Sequence, residues 1–369
     1  MGLQIGLGSR VRKSPFFDAL VRHGLTHVTV YNHMYMPGSF GDPDEEYRAL
    51  VERVSLWDVA AQRQVEVVGP DAFTLCQYVS ARDLRGMAVG RVRYAPMCDH
   101  DGILINDPMV LKLAEDRFWI SIADSDVLLW CQAVAVERGL DCRVFEPDVS
   151  PLAVQGPRAD DTMADLLGDW VGDVPFFGFV ETSHDGIPFV LCRSGWSGQG
   201  GFELFLQDGS RGLDLWDAVW AAGEKYGIHP GGPTPNERIE SDLFSYRADC
   251  GAGASPLEVG LEKFLSLGRD DEFIGKAALL AERSRGPARR LVKAMLSGER
   301  LLATSESPWP AYGPNGSPCG EVRVAVWSPR HDSNLCLALV SAEVAGGPFS
   351  TVTPTGEALQ ATHHHFFAE

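Results

Sequence analysis

Apolar and polar positions alternate with period two over residues 26–31, 64–68, 93–98, 110–113 and 118–122, the pattern of half-buried strands. Stretches with helical spacing stand between them. Residues 71–79 follow a Gly-Pro start, with Pro70 suited to a first turn. Residues 125–138 begin beside Asp124, a capping side chain, and stop at Gly139. Short strands, Asp-Gly turns and single helices, without regular strand–helix alternation, predict an α+β chain rather than a doubly wound sheet.

The same order of landmarks occurs twice, about 86 residues apart. Val68-Gly69-Pro70-Asp71-Ala72 and Gln155-Gly156-Pro157-Arg158-Ala159 each open a helix, and Asp101-Gly102-Ile103 and Asp185-Gly186-Ile187 each make a turn. Trp130 and Trp216 each precede an Ala-Val pair. This predicts an internal duplication, roughly residues 54–146 and 151–226, inside a core spanning residues 1–275. Asn106-Asp107-Pro108 and Arg193-Ser194-Gly195-Trp196 then fall at nearly the same point of each copy, as walls of a pseudo-symmetric small-molecule pocket. Over residues 276–369, short apolar runs alternate with Gly, Pro and Asn and predict a small C-terminal β-barrel or sandwich.

Composition narrows the function. Of 369 residues, 45% are hydrophobic and 22% charged, which excludes disorder and coiled coil. Thirty-two basic against fifty acidic side chains give a net charge of −18, so nucleic acid is not an expected partner. The eight cysteines show no C-x-x-C spacing and read as reduced thiols of a cytoplasmic protein, not as disulfides or a zinc site. No run of 18 apolar residues exists, so no membrane span is expected. The start is a short polar arm with Arg10, Arg12 and Lys13, and Met1-Gly2 is a poor acylation match because Leu7 stands where Ser or Thr is needed. His363-His364-His365 makes a weak metal claim. Oligomeric state is not legible.

Several chemistries lose support. Gly6-x-Gly8 has Val11 where a dinucleotide loop needs its third glycine, which argues against NAD and a fused flavin domain. There is no phosphate loop and no G-x-S-x-G elbow. His23, His27 and His33 lack metal spacing beside a Glu, so no metal is expected.

The strongest local signal is Arg193-Ser194-Gly195-Trp196-Ser197-Gly198-Gln199-Gly200-Gly201, leading into Phe202-Glu203-Leu204-Phe205. Its four glycines let backbone approach a ligand while Trp196 projects into the space. Glu203 and Phe205 share a strand face, and a carboxylate beside an aromatic suits a flat heterocycle presenting adjacent N–H donors. A glycine-rich hairpin with a core Trp and a solvated Glu fits the same string. Tyr31-Asn32-His33-Met34 and Asn236-Glu237-Arg238-Ile239-Glu240-Ser241 are further polar clusters, readable as ligand contacts or as satisfied structural polars.

Taken together, these strings resemble the glycine-cleavage T-protein (aminomethyltransferase) family of folate enzymes. Within it they resemble the tetrahydrofolate-dependent dimethylsulfoniopropionate demethylases. The resemblance runs through Tyr31-Asn32-His33-Met34, Trp57-Asp58-Val59-Ala60, Asn106-Asp107-Pro108, Phe176-Phe177, Ser194-Gly195-Trp196-Ser197, Glu237–Ser241 and Ile274-Gly275-Lys276. It implies a three-domain cloverleaf around a folate channel, and transfer of a methyl group from a sulfonium donor to N5 of tetrahydrofolate. Carried over, Glu203 reads the pterin edge, Phe205, Tyr94, Phe177 and Arg238 line the folate, and Tyr31, His33, Met34, Trp196 and Tyr246 receive the donor. Trp196, Asp107 and Asn106 are the implied catalytic positions, with Asn106-Asp107 standing where aminomethyltransferases have an acidic pair. An alternative is another methyl donor, such as a quaternary amine, methyl ether or methyl halide, or aminomethyl transfer itself. Arg93 and Arg247 depart from the demethylase pattern, which has Tyr and Gly there, and either arginine could bind a donor carboxylate or the folate glutamate tail.

Overall fold

The computed structural model describes residues 7–305 and 307–366. The Met1-Gly2 acylation match lies outside the described residues, and His363-His364-His365 fall within the last strand, Ala358–Phe366.

Two sheets form the core. In the first the order is Arg143–Phe145, Gln64–Val68, Arg117–Ser121, Met109–Ala114 and Arg91–Tyr94, all antiparallel. In the second it is Ile228–Gly231, Val54–Asp58, Ser150–Gln155, Gly201–Leu206, Ile187–Cys192 and Phe179–His184. Counted from the start of each repeat, both sheets run fifth, first, fourth, third, second, so the duplication is real at the level of topology. Val54–Asp58 differs from the sequence reading. It pairs with Ser150–Gln155 and lies in parallel with Ile228–Gly231, inserted into the second sheet instead of opening the first.

The two loops expected to face each other are not equivalent. Asn106-Asp107-Pro108 follows the short hairpin Met97–Cys98/Leu104–Asn106 and enters the repeat's third strand, whereas Arg193–Trp196 leaves the corresponding strand Ile187–Cys192. The landmarks agreed because an extra hairpin in the first copy shifts the register of the loops without changing their order.

Period-two patterning explains the layers. On Gly201–Leu206, Phe202, Leu204 and Leu206 join the core beneath helices Phe17–Arg22, Ala159–Leu167 and Gly212–Gly223. Glu203 and Phe205 point the other way, and Phe205 packs with Val92, Leu111, Trp119 and Val190 between the two sheets. Helices Ala72–Val79 and Val127–Glu137 cover the far face of the first sheet. The C-terminal domain is a closed six-stranded barrel. Its strand Ser333–Ser341 sends Cys336, Ala338 and Val340 into the barrel, while Leu335, Leu337 and Leu339 pack outward on residues 239–279. Burial on both faces is why this strand reads as a continuous apolar run. No helix among the described residues is long and apolar enough to cross a membrane.

Candidate active site

Asp107 sits at the kink between Leu104–Asn106 and Met109–Ala114. One carboxylate oxygen, Oδ2, accepts the Tyr94 hydroxyl at 2.8 Å, and the other, Oδ1, is buried with no partner. Burial, reinforced by the negative Asp249, pushes this carboxyl up to about 7, against the stabilising Tyr94 bond. It therefore exchanges a proton near neutrality. Tyr94 is braced edge-on by Phe264, with ring centroids 4.7 Å apart. Burial and Asp107 hold the Tyr94 phenol well above its ordinary range.

Tyr31 and Tyr246 converge on the same charge. Burial raises both phenols and Asp107 adds to the effect at each, while Arg238 opposes it at Tyr31 and Arg247 at Tyr246. Tyr31 is placed by a tight hairpin turn in which Asn32 and His33 both adopt positive φ, 49° and 60°. The Asn32 side-chain amide donates to the carbonyls of Ala61, Ile122 and Ala123, and its backbone N–H donates to Asp124 at 2.8 Å. Asp124 thus anchors the hairpin, and it is Asp126 that stands at the N-terminus of the helix Val127–Glu137.

Trp196 closes another side. The loop that carries it is fixed by Gln155, whose Nε2 donates to the Ser194 carbonyl at 3.1 Å and whose Oε1 accepts the Ser197 hydroxyl at 2.7 Å. A side chain at Gly195 would meet Gln155 at 2.0 Å, so this close approach requires glycine. The Trp196 indole donates to the Phe244 carbonyl at 3.2 Å, and the Arg238 guanidinium lies 5.6 Å from its ring centroid. Arg238 comes from the helix Pro235–Glu240, which starts at Thr234, where the Glu237 carboxylate accepts the Thr234 hydroxyl and N–H. Both Arg238 terminal nitrogens pair with Asp249, at 2.8 and 2.9 Å, and Asp249 also accepts the Ser245 N–H at 2.7 Å. This buried pair braces residues 241–249 around Trp196.

Glu203 is buried on the face that looks toward the other sheet. The Ser194 hydroxyl donates to it, no salt bridge reaches it among the described residues, and burial raises its pKa. A buried carboxylate with one hydroxyl partner retains accepting capacity for an N–H-bearing ligand edge.

The structure thus brings together Tyr31, Tyr94, Asp107, Trp196, Arg238 and Tyr246, and sets Glu203 beside the Trp196 loop. Other expected site residues go elsewhere. His33 is exposed, with Nε2 3.7 Å from Asp126, because the turn that directs Tyr31 inward directs its neighbour outward. Met34 is buried in the core under the helices. The Asn106 amide is spent on Ala123, donating to its carbonyl and accepting its N–H, and on Ser125. Phe205 is sealed between the sheets, 6.2 Å from Trp119. Arg238 is committed to Asp249 and has no free fork for a ligand. Phe177 lies farther out, stacked at 4.3 Å on Phe176. Arg93 turns away from Tyr94 and donates to the carbonyls of Asp83 and Arg85, whereas Arg247, exposed and at φ 64°, lies 5.8 Å from the Tyr246 ring. Sequence reasoning missed Asp249, Gln155, Phe264 and the anchoring role of Asp124. Only Gln155 carried a signal, as part of the repeated Gln-Gly-Pro landmark. No cluster suited to a metal ion occurs among the described residues.

Comparison with known proteins gives a consistent answer. The family model described as the GCVT N-terminal domain matches residues 16–269. The chain is 40% identical over 349 residues to the dimethylsulfoniopropionate demethylase of Ruegeria pomeroyi, covering 94% of each. It is 30% identical over 367 residues to an aminomethyltransferase of Symbiobacterium thermophilum, covering 96% of each. The glycine cleavage system aminomethyltransferase T structure from Bartonella henselae shares the fold, with a TM-score of 0.86 over 96% of this chain and 97% of that one, at 20% identity.

Proposed function

The chain belongs to the glycine-cleavage T-protein (aminomethyltransferase) family, and from that premise we propose that it is a tetrahydrofolate-dependent demethylase of dimethylsulfoniopropionate. The observation that carries this reading is the 40% identity to the demethylase of Ruegeria pomeroyi along 94% of both chains. In this reading the enzyme acts in the cytoplasm on two small molecules, without metal, flavin or nicotinamide.

The chemistry asks for little acid–base work. The methyl–sulfur bond breaks as a methyl–nitrogen bond forms at N5, the electron pair stays on sulfur, and a neutral thioether leaves, so no general acid is required. One proton must leave N5. Asp107 accepts it: its free Oδ1 is buried, and with the carboxyl at about 7 it is largely ionised above neutrality. Tyr94 holds the other oxygen, fixing the direction of the accepting one. Glu203 supplies the acceptor for the pterin N–H edge. Trp196 offers its ring to the sulfonium, worth about 0.5–2 kcal/mol. Arg238 already covers one side of that ring, and its charge is offset by Asp249, so the donor uses the other side. The protein's main work is to align donor and acceptor and exclude water.

Aminomethyl transfer is the lesser reading. Asn106 stands where an acidic partner is expected, and its amide is consumed within the fold.

The test is incubation with tetrahydrofolate and methyl-deuterated dimethylsulfoniopropionate, followed by mass spectrometry. Labelled 5-methyltetrahydrofolate and methylthiopropionate should form in equal amounts. Formaldehyde released without folate would replace this reading with an oxidative one.

A further inference from the structure

The proposed donor is a zwitterion in which two methylenes separate a sulfonium from a carboxylate. Trp196 offers its ring to the sulfonium, but no group described so far receives the carboxylate. The pocket's own acids, Asp107 and Asp249, which already raise each other's charge cost, repel it. A carboxylate taken out of water without a partner is costly, so a cation has to meet it.

Nearly every cation that segment 238–258 carries, or receives from the barrel, is already spent. Arg238 pairs with Asp249 at 2.8 Å, Lys293 with Asp242 at 2.7 Å and Arg289 with Glu258 at 2.7 Å. Arg323 pairs with Glu321 at 2.7 Å and donates to the carbonyls of Arg247 and Ala248. Arg330 stands 3.5 Å from Glu240. Arg247 is the exception: it is exposed and pairs with no carboxylate among the described residues.

The fold holds Arg247 in place at a cost. Its φ is 64°, a left-handed conformation that favours glycine and strains any side chain. Two bonds to its carbonyl fix the turn, from the Gly251 N–H at 3.0 Å and from Arg323 at 3.2 Å, and the Asp249 N–H donates to the Ser245 carbonyl at 3.0 Å. The guanidinium then lies 5.8 Å from the Tyr246 ring centroid. Burial raises the Tyr246 phenol, a hydrogen bond from Arg247 lowers it, and Asp107 raises it further, so one phenol senses both the unpaired cation and the open carboxylate. Trp196 bonds to Phe244, three residues before Arg247, and at most roughly 11 Å of chain separates the two. The long arginine side chain spans what the donor's two methylenes do not.

We propose that Arg247 is a specificity-determining residue that receives the carboxylate of the methyl donor at the mouth of the pocket. The enzyme then selects sulfonium donors that carry an anionic group a few bonds from the sulfur, and discriminates against simple cations, which the same guanidinium repels. The inference rests on the demethylase reading above and adds to it the group that recognises the other end of the donor.

The test compares kcat/KM for dimethylsulfoniopropionate and for its methyl ester, which keeps the sulfonium and loses the negative charge, on the full chain with saturating tetrahydrofolate. The wild type should prefer the acid about tenfold or more. Arg247→Gly, which accepts φ 64° without strain, and Arg247→Gln should both bring that ratio to about unity, chiefly through a higher KM for the acid. Arg247→Lys should retain part of the preference. A ratio of two donors is unaffected by the fraction of enzyme that folds, so a merely structural role would lower both rates together and leave the ratio alone. Equal use of acid and ester by the wild type, or a preference retained by both neutral variants, overturns the proposal and leaves the demethylase reading intact. A rise in the KM for tetrahydrofolate with donor selectivity retained overturns it too, and assigns Arg247 to the folate. Failure of either donor to methylate folate in the wild type overturns both readings.

Discussion

On one wall of the pocket, Asp107 stands between regular strands with one oxygen on Tyr94 and the other without a partner. On another, Asp249 stands in an irregular segment with both oxygens filled by Arg238 and the Ser245 N–H. Both are buried carboxylates within reach of each other's charge. The strands around Asp107 are held by their own ladders, so that wall can carry an unsatisfied group at the expense of stability. The segment 241–255 has no ladder. It takes its shape from side chains that reach its main chain, namely Trp196 to Phe244 and Arg238 to Leu243. A charge left open marks the chemistry; a charge closed on a partner marks the shape.

The largest effect should come from closing the open one. Asp107→Asn removes the proposed proton acceptor and should lower kcat by about 10²–10⁴. It should also stabilise the protein at alkaline pH. The folded-state pKa is raised, from 3.8 to about 7, so the protonated form is favoured by folding. That contribution is complete below pH 4 and is lost as pH rises through 7, where burying the charge opposes folding. The wild-type rate should rise through an apparent pKa near 7, and the variant should show no such step. A pH profile unchanged in Asp107→Asn would remove Asp107 from the reaction.

Breaking the closed pair is next in size. Arg238→Met strands Asp249 in the interior and should cost about 3–5 kcal/mol of unfolding free energy by denaturant titration. Arg238→Met/Asp249→Leu should recover most of it, because the penalty belongs to the unpaired charge. If the double variant is no more stable than the single one, the pair does more than neutralise itself.

The same contrast explains what could be read in advance. The duplicated sheets and the barrel were legible because period-two burial writes itself into strands such as Ser333–Ser341 and Gly201–Leu206. Tyr94, Asp107, Trp196 and Glu203 could be singled out as candidates because they lie on or beside such strands within distinctive strings. The fates of His33, Met34 and Phe205 were not. A positive-φ turn separates Tyr31 from His33, and the packing of two sheets decides that Phe205 is sealed while Glu203, on the same face, retains a polar role. The Arg238–Asp249 pair joins residues eleven apart through a segment without periodicity, so nothing local announces it.

Glu203→Gln sharpens the ligand side of the comparison, since Glu203 is buried and only lightly satisfied. An amide accepts through one atom, so it mismatches a paired N–H edge at about 1.5–3 kcal/mol. Tetrahydrofolate affinity by calorimetry should fall by roughly ten- to a hundredfold, with donor affinity little changed. Equal losses for both ligands would mean that the substitution disturbs the Ser194 loop instead of the pterin contact.

The smallest effect belongs to Trp196, which touches both kinds of wall. Its indole N–H helps shape segment 241–249 through Phe244, and its ring is the proposed contact of the donor. Trp196→Phe keeps a ring and gives up the hydrogen bond, while Trp196→Leu gives up both. A sulfonium loses about 0.5–2 kcal/mol when the ring quadrupole is removed, whereas a neutral thioether of the same shape loses only contact area. Competition between dimethylsulfoniopropionate and methylthiopropionate therefore separates the two roles. Trp196→Leu should weaken the cation by up to about thirtyfold more than the thioether, and Trp196→Phe by much less. Parallel weakening of both ligands in Trp196→Leu would show that the indole supports the loop alone and that the sulfonium is recognised elsewhere.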